Sequence, residues 1–347
     1  MTKNSAIFRS CEEGYENKII GQYETLLKNY FGAKYCLALS SGTASIIVAL
    51  KAIGINAGDK VILPPTAPLC TAYPIISTGA IPVFCDVRLN NFGLNLEKMS
   101  KSVSVKTKAI IEVPMWGYVT PADEMRSYSN AAKIPLICDL AHCAGATLNN
   151  KPLSSFCDIA CYSTQKNKIF STGEGGFLLT DNEEYYYRAL MYSRMGELNG
   201  IDFGVNYKLS HFQALAGIEA MNNIHNNLSL RKKNSDFITS SIWNSNVAEL
   251  DVIENSNPSY QKLVIKTRDF SPFLAKYMVS KGVSSDMEKY KIKPLYDYPI
   301  LRRYKMKCIN AEKLLESATT ISVNLEYSSK ELEYIIDVIN NFSAVTN

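Results

Sequence analysis

Short apolar runs alternate with helical patterns along the first two-thirds of the chain, and this alternation limits the possible folds more than anything else in the sequence. Tyr35–Ser40 (YCLALS) reads as a buried strand and Thr43–Ile53 as the helix that follows it. Lys60–Leu63, Ile81–Val87, Ala109–Pro114 and Pro135–Asp139 read as further strands. Cys70–Ser77, Leu96–Val103 and Ala122–Ala132 can form the helices between them. Strands joined through helices build a mostly parallel sheet covered on both faces. Two later runs, Asp158–Ser163 and Gly176–Thr180, lie too close together for a crossover helix, so at least one strand there is expected to run antiparallel. From Ser210 a long helical stretch leads into a region that mixes strand-like QKLVIKT with helical Ser329–Asn341. A chain of 347 residues can hold two domains, expected at 1–235 and 236–347.

Composition narrows the function classes. The net charge is only +4 and the basic residues are scattered, so no nucleic-acid-binding face is legible. Nine cysteines occur without a C-x-x-C pair, and several sit inside apolar runs, as small buried hydrophobes do in a reducing compartment. Three histidines (142, 211 and 225) have no ligand spacing to a cysteine pair, so no metal site is expected. The N-terminus lacks the apolar core of a signal peptide, and no apolar run approaches a membrane span. The expectation is a cytoplasmic soluble protein with no membrane partner.

Four segments could carry chemistry. Ser40-Ser41-Gly42-Thr43-Ala44 joins a buried strand to a helix, where free amides and a glycine suit an anion such as phosphate. An ordinary capped helix would look the same. Asp139 closes the apolar run IPLICD, at the strand end where ligands bind in parallel sheets. There it could hold a protonated pyridine nitrogen or simply cap a helix. The loop in CYSTQKNKIFSTGEGG (Cys161–Gly176) offers Lys166 and Lys168. A buried lysine becomes a nucleophile toward carbonyls, whereas two solvated lysines on a turn would do nothing. Gly204-Val205-Asn206-Tyr207-Lys208 precedes the long helix and alone is only a polar loop.

In this order the segments FGAKYCLALSSGTAS, GINAGDKVILPP, GAIPVFCDV, KTKAIIEVPMWG, ICDLAHCAGA, YSTQKNKIFSTGEGG and GVNYKLSHFQALAG resemble the DegT/DnrJ/EryC1/StrS family of pyridoxal-phosphate aminotransferases. The resemblance runs from about Tyr23 to Leu228. It implies an α/β protein of fold type I, like aspartate aminotransferase. A large domain carries a mixed seven-stranded sheet, and a smaller C-terminal α+β domain packs beside it. It also implies a homodimer with shared active sites and the cofactor pyridoxal 5′-phosphate.

The family's Schiff-base lysine follows the phosphate-contacting serine by five positions and precedes the first glycine of GEGG by five. Ser163 and Gly173 both select Lys168. By the same resemblance, Asp139 pairs with the pyridine nitrogen and His142 lies near the cofactor's phenolic oxygen. Gly42, Thr43 and Ser163 bind its phosphate, and Asn206 reaches the phosphate of the neighbouring subunit's cofactor. The implied reaction is ping-pong, with Lys168 as covalent anchor and general acid–base. Glutamate is the implied donor, and the acceptor is a keto group on a nucleotide-linked sugar.

Several positions depart from the family pattern. Pro68 stands where an aromatic residue usually stacks on the ring, Lys208 replaces an arginine, and Tyr296 replaces a histidine. The segment before Arg9–Tyr15 is short. These departures are expected around the substrate and leave other readings open. One is a non-sugar ketone as acceptor; a second is dehydration; a third is a non-catalytic ligand-binding relative. The family's sugar dehydratases carry histidine at the lysine position, and Cys161–Gly176 contains none. A nicotinamide enzyme would need a glycine-rich first turn, and SSGTAS has one glycine.

Overall fold

A computed structural model describes residues 18–324 and 326–343. The segment around Arg9–Tyr15, expected to be short, lies outside the described residues, as does Cys11. A seven-stranded sheet is built from β1 (Tyr35–Leu39), β2 (Lys60–Leu63), β3 (Ile81–Phe84), β4 (Thr107–Glu112), β5 (Leu136–Asp139), β6 (Ile159–Ser163) and β7 (Gly176–Thr180). Its spatial order is β1-β7-β6-β5-β4-β2-β3. β2, β3, β4, β5 and β6 pair in parallel, while β7 is antiparallel to both β6 and β1. The mixed sheet is the one the sequence led us to expect, with β7 as its reversed strand.

Alternation along these strands feeds two cores, one on each face. Leu37, Val61, Ile111 and Ile137 enter one, and Cys36, Ile62, Ile110 and Cys138 enter the other. α1 (Lys18–Phe31) buries Ile20, Tyr23, Leu27 and Phe31, a helical stripe, on the second core. α2 (Gly42–Ala52) is apolar on most of its surface because it is wedged between the sheet, α3 (Leu69–Ser77) and α6 (Glu183–Ser193). α4 (Leu96–Ser102) and α5 (Ala122–Ala132) are the remaining crossovers.

The helical stretch after Ser210 is not one helix. It breaks at Asn223 into α7 (His211–Asn222) and α8 (Ile224–Ser240). α7 opens on a capping box between Ser210 and Gln213 and packs on α1. Beyond α8 lies a three-stranded antiparallel sheet of β8 (Val247–Glu249), β9 (Leu263–Thr267) and β10 (Ala318–Ile321), in the order β8-β9-β10. Helices α9 (Leu274–Ser280), α10 (Asp286–Lys289), α11 (Ile309–Ser317) and α12 (Ser329–Asn340) accompany it. The first core continues into this region through Leu263, Leu314 and Ile339.

Candidate active site

The carboxyl ends of the parallel strands converge on one edge of the sheet, and a cavity of ≈ 670 Å³ opens there. Asp139 ends β5 and is buried. Its Oδ2 accepts a 2.6 Å hydrogen bond from the Thr71 hydroxyl, and its Oδ1 accepts from the Ala141 amide at 3.2 Å. Burial raises its pKa, while Thr71, Ala141 and the charge of Lys168 pull it back down. Lys168 lies in the β6–β7 loop, half-buried, and lines the same cavity. Burial lowers the pKa of its amine, against the opposing pull of Asp139. Lys166 also lines the cavity but is exposed.

His142 follows β5 and lines the cavity. Its Nδ1 accepts the Trp116 amide at 3.2 Å, so the ring proton belongs on Nε2. Burial, with Lys168 and Lys262 nearby, holds its pKa well below the usual histidine range and keeps the ring neutral. The amide it binds belongs to a left-handed residue, Trp116 with φ 53°, at the turn after β4.

The phosphate candidates gather beside this cavity without being part of its lining. Ser41 caps α2 by accepting the Ala44 amide at 3.0 Å. Gly42 starts that helix against the end of β6, where an added Cβ would stand 2.7 Å from Ser163 Cβ. Thr43 is the next residue of α2, and both it and Ser163 are half-buried. Asn206 is exposed, and its Oδ1 accepts the Lys208 amide at 3.3 Å. Its segment adjoins the turn at Ser40–Ala44 of the same chain, through Ser40 N–H to Tyr207 carbonyl at 2.8 Å.

The departures fall in different places. Pro68 lines the cavity as the N-cap of α3. Lys208 pairs with Leu39 beside the phosphate turn. Tyr296 does not reach the cavity, contrary to the expectation of a substrate-side position. It is fully buried, packs edge-on to Phe84, donates to Glu312 and accepts the Cys308 amide. Tyr298, two residues on, lines the cavity instead.

Other contributors left no legible mark in the sequence. Thr71 reaches Asp139 from α3 across 68 residues of chain. Gln261 comes from the small sheet's side and donates through Nε2 to the Asn167 carbonyl, next to Lys168. Lys262, Lys289 and Lys293 line the cavity from the same side. Long-range packing places them, and no local pattern marks them.

The DegT/DnrJ/EryC1/StrS aminotransferase family model matches residues 12–340. The 3-oxo-glucose-6-phosphate:glutamate aminotransferase of Bacillus subtilis (strain 168) is 28% identical over 335 residues, 92% of this chain and 75% of that protein. The GDP-perosamine synthase of Caulobacter vibrioides is 29% identical over 225 residues, 62% of this chain and 60% of that protein. Among solved structures, the sugar aminotransferase CalS13 from Micromonospora echinospora superposes with a TM-score of 0.86 at 18% identity, covering 98% of this chain and 97% of that one. NtdA from Bacillus subtilis, solved with bound cofactor PMP, gives 0.82 at 25% identity, covering 93% and 78%. The chain therefore belongs to the DegT/DnrJ/EryC1/StrS aminotransferase family and is an aminotransferase dependent on pyridoxal phosphate.

Proposed function

We propose that this protein transfers an amino group from glutamate to the keto group of a nucleotide-linked sugar. The observation that carries the reading is the meeting of Lys168 and Asp139 in one cavity of a family member. The residues present fit the cofactor. Buried Asp139 faces into the cavity with both oxygens held. Gly42, bare of a side chain, lets the start of α2 come close to Ser163, since an added Cβ would stand 2.7 Å from Ser163 Cβ. The N-terminus of α2 offers amides to a phosphate beside the Ser163 hydroxyl.

Pyridoxal phosphate supplies the electron sink for the pair left behind when a proton leaves the donor's alpha carbon. Lys168 would hold the cofactor through its amine and, when that amine is free, would take or deliver the proton at the donor's alpha carbon. Burial lowers the pKa of its amine, which favours the form able to take the proton. Asp139, as carboxylate, keeps the pyridine nitrogen protonated, and Thr71 fixes its direction. His142, with Nδ1 accepting the Trp116 amide, would have Nε2–H to offer the cofactor's phenolic oxygen. Pro68 would have only C–H groups to cover the ring. Gly42, Thr43 and Ser163 hold the phosphate.

Asn206 serves the neighbouring subunit in a homodimer. Leu198, Ile201, Phe203 and Phe212 around it are 78–86% exposed, an apolar surface that supports a partner copy. Cytoplasmic residence, with neither nucleic acid nor membrane as partner, completes the reading on composition alone. Among the described residues no helix is long and apolar enough to cross a membrane.

A second reading keeps glutamate and replaces the nucleotide with a simple phosphate. It is favoured by the Bacillus subtilis relative, which is named for 3-oxo-glucose-6-phosphate. The test adds glutamate to the cofactor-loaded protein and follows the cofactor's conversion to its amine form and the release of 2-oxoglutarate. Keto sugars with and without a nucleotide are then offered. Conversion by glutamate followed by turnover with a nucleotide-linked sugar is expected. Turnover restricted to sugar phosphates selects the second reading, and no response to glutamate contradicts both.

A further inference from the structure

Lys168 sits in a stretch that packing alone does not hold. Thr164 and Ile169 are buried, but none of residues 165–168 between them is fully buried, and Lys166 and Asn167 are exposed. Polar bonds must set the course of the chain there. The peptide joining Asn167 to Lys168 is bound at both ends. Its N–H donates to the Gln165 carbonyl at 2.8 Å, a bond within the loop. Its carbonyl accepts from Gln261 Nε2, 94 residues away. A peptide is a rigid plane, so holding both ends fixes the direction in which the Lys168 side chain leaves the backbone.

Gln261 can act as a post because its own backbone is anchored. Ser259 N–H donates to the Gly117 carbonyl at 3.0 Å and Lys262 N–H to the Trp116 carbonyl at 3.2 Å. Arg231, buried on α8, donates through Nη1 to the Tyr260 carbonyl at 3.1 Å and the Gln261 carbonyl at 3.0 Å. Gly117 has φ 91°, and a Cβ there would stand 2.6 Å from Gln261 N, so this glycine lets the segment come close. Tyr260 is left-handed at φ 46°, a conformation that a bulky residue keeps only where its surroundings fix it.

We propose that Gln261 is a positioning residue for Lys168: through the Asn167 carbonyl it holds the lysine's peptide so that the amine enters the cavity that Asp139 lines. The inference rests on the assignment of Lys168 as the cofactor's anchor. It makes the geometry of the reactive amine depend on the segment that leads into β9, on the small-sheet side. Asn227, which donates to the Ile169 carbonyl at 3.2 Å, steadies the other flank, where the buried Ile169 side chain already anchors the chain. Gln261 acts on the flank that has no such anchor. Misplacing a reacting group by about 1 Å can cost about a hundredfold in rate, so this one bond has leverage on the chemistry.

The test compares full-length wild type with Gln261→Met, which keeps the length of the side chain and removes the donor. Gln261→Asn keeps the amide but shortens its reach, so the comparison survives if methionine prevents folding. Gln261→His places a ring N–H as many bonds from Cβ and should restore the bond. In cofactor-free protein, Lys168 is acetylated at a series of pH values and the labelled peptides are weighed. The midpoint of Lys168 labelling should rise in the methionine and asparagine variants, as a loosened loop lets the amine out to water, and should return in the histidine variant. Affinity for pyridoxal phosphate should fall about fivefold, the worth of one net hydrogen bond. In the loaded enzyme, kcat with glutamate should fall about tenfold or more and KM by less than about twofold, since placement acts on the proton transfer and leaves substrate binding alone. Unchanged midpoint and cofactor affinity in both disrupting variants would overturn the proposal, and would do so even if thermal stability fell, because the bond would then be structural only. A cofactor adduct on Lys166 in wild type would remove the anchor assignment, while the labelling midpoint would still decide whether Gln261 places Lys168.

Discussion

Lys168 and Asp139 carry opposite charges into one cavity, and burial pulls each toward its neutral form. Their mutual attraction opposes that pull, which suits a lysine that must give and take protons. Glu112 has no such cationic neighbour at contact distance among the described ion pairs. It ends β4, buried, and accepts the Leu94 amide on both oxygens at 3.3 Å. Burial pushes its pKa up to about 7, against Thr120, the Leu94 amide and Arg88. A carboxyl raised above its unfolded value adds stability at low pH and loses it as pH rises through the folded value. Glu112→Gln keeps the acceptor and removes the charge. Between about pH 5 and about pH 8, wild type should lose on the order of 3 kcal/mol relative to this variant, measured by denaturant unfolding. Equal pH dependence in the two proteins contradicts the buried-carboxyl argument. None of this burial is visible in the run KTKAIIEVPMWG, where Glu112 looks like any strand-end acid. The two lysines of the β6–β7 loop are alike in the same way. Only the packed structure leaves Lys166 exposed and draws Lys168 in.

Secondary elements were legible where the sheet alone decides them. Lys60–Leu63, Gly176–Thr180 and Ala122–Ala132 have the bounds that apolar runs and turns give them. The apolar run Ile81–Val87 outlasts its strand, which ends at Phe84, and Asp86 beyond it serves a distant element. Its carboxylate accepts the Asn310 and Ala311 amides and so caps α11, whose own N-cap, Cys308, makes no side-chain bond. A cap 225 residues away cannot be read locally. The break at Asn223 has no local mark because MNNIHNN continues a helical pattern, while α7 packs on α1 and α8 on α12. The junction of α2 with β6 is the element-scale feature most exposed to test. Gly42→Ala forces a methyl to within 2.7 Å of Ser163 Cβ. Over-packing there should cost about 1–3 kcal/mol, and bound cofactor per chain should fall with it. A variant with unchanged stability and full cofactor content would remove Gly42 from the phosphate cradle.

At the scale of the whole molecule, two surfaces of one chain meet different needs. The cavity gathers strand ends of the large sheet and lysines from the segments around the small one, so neither half completes it alone. Leu198, Ile201, Phe203 and Phe212 are exposed in the single chain, and the proposed homodimer would cover them. Phe203→Asp with Phe212→Asp should weaken self-association by at least about a hundredfold, since burying one phenylalanine contributes about 1.5–3 kcal/mol. Light scattering after size exclusion would read this as monomer where wild type is dimer, and dimers of both proteins would place the interface elsewhere. The most direct test of the whole reading is covalent. Cofactor-loaded protein is reduced with borohydride, digested, and its peptides are weighed. The cofactor's added mass should sit on Lys168, persist in Lys166→Ala and vanish in Lys168→Ala. An adduct on Lys166, or no adduct in wild type, would contradict the assignment of Lys168 as the anchor.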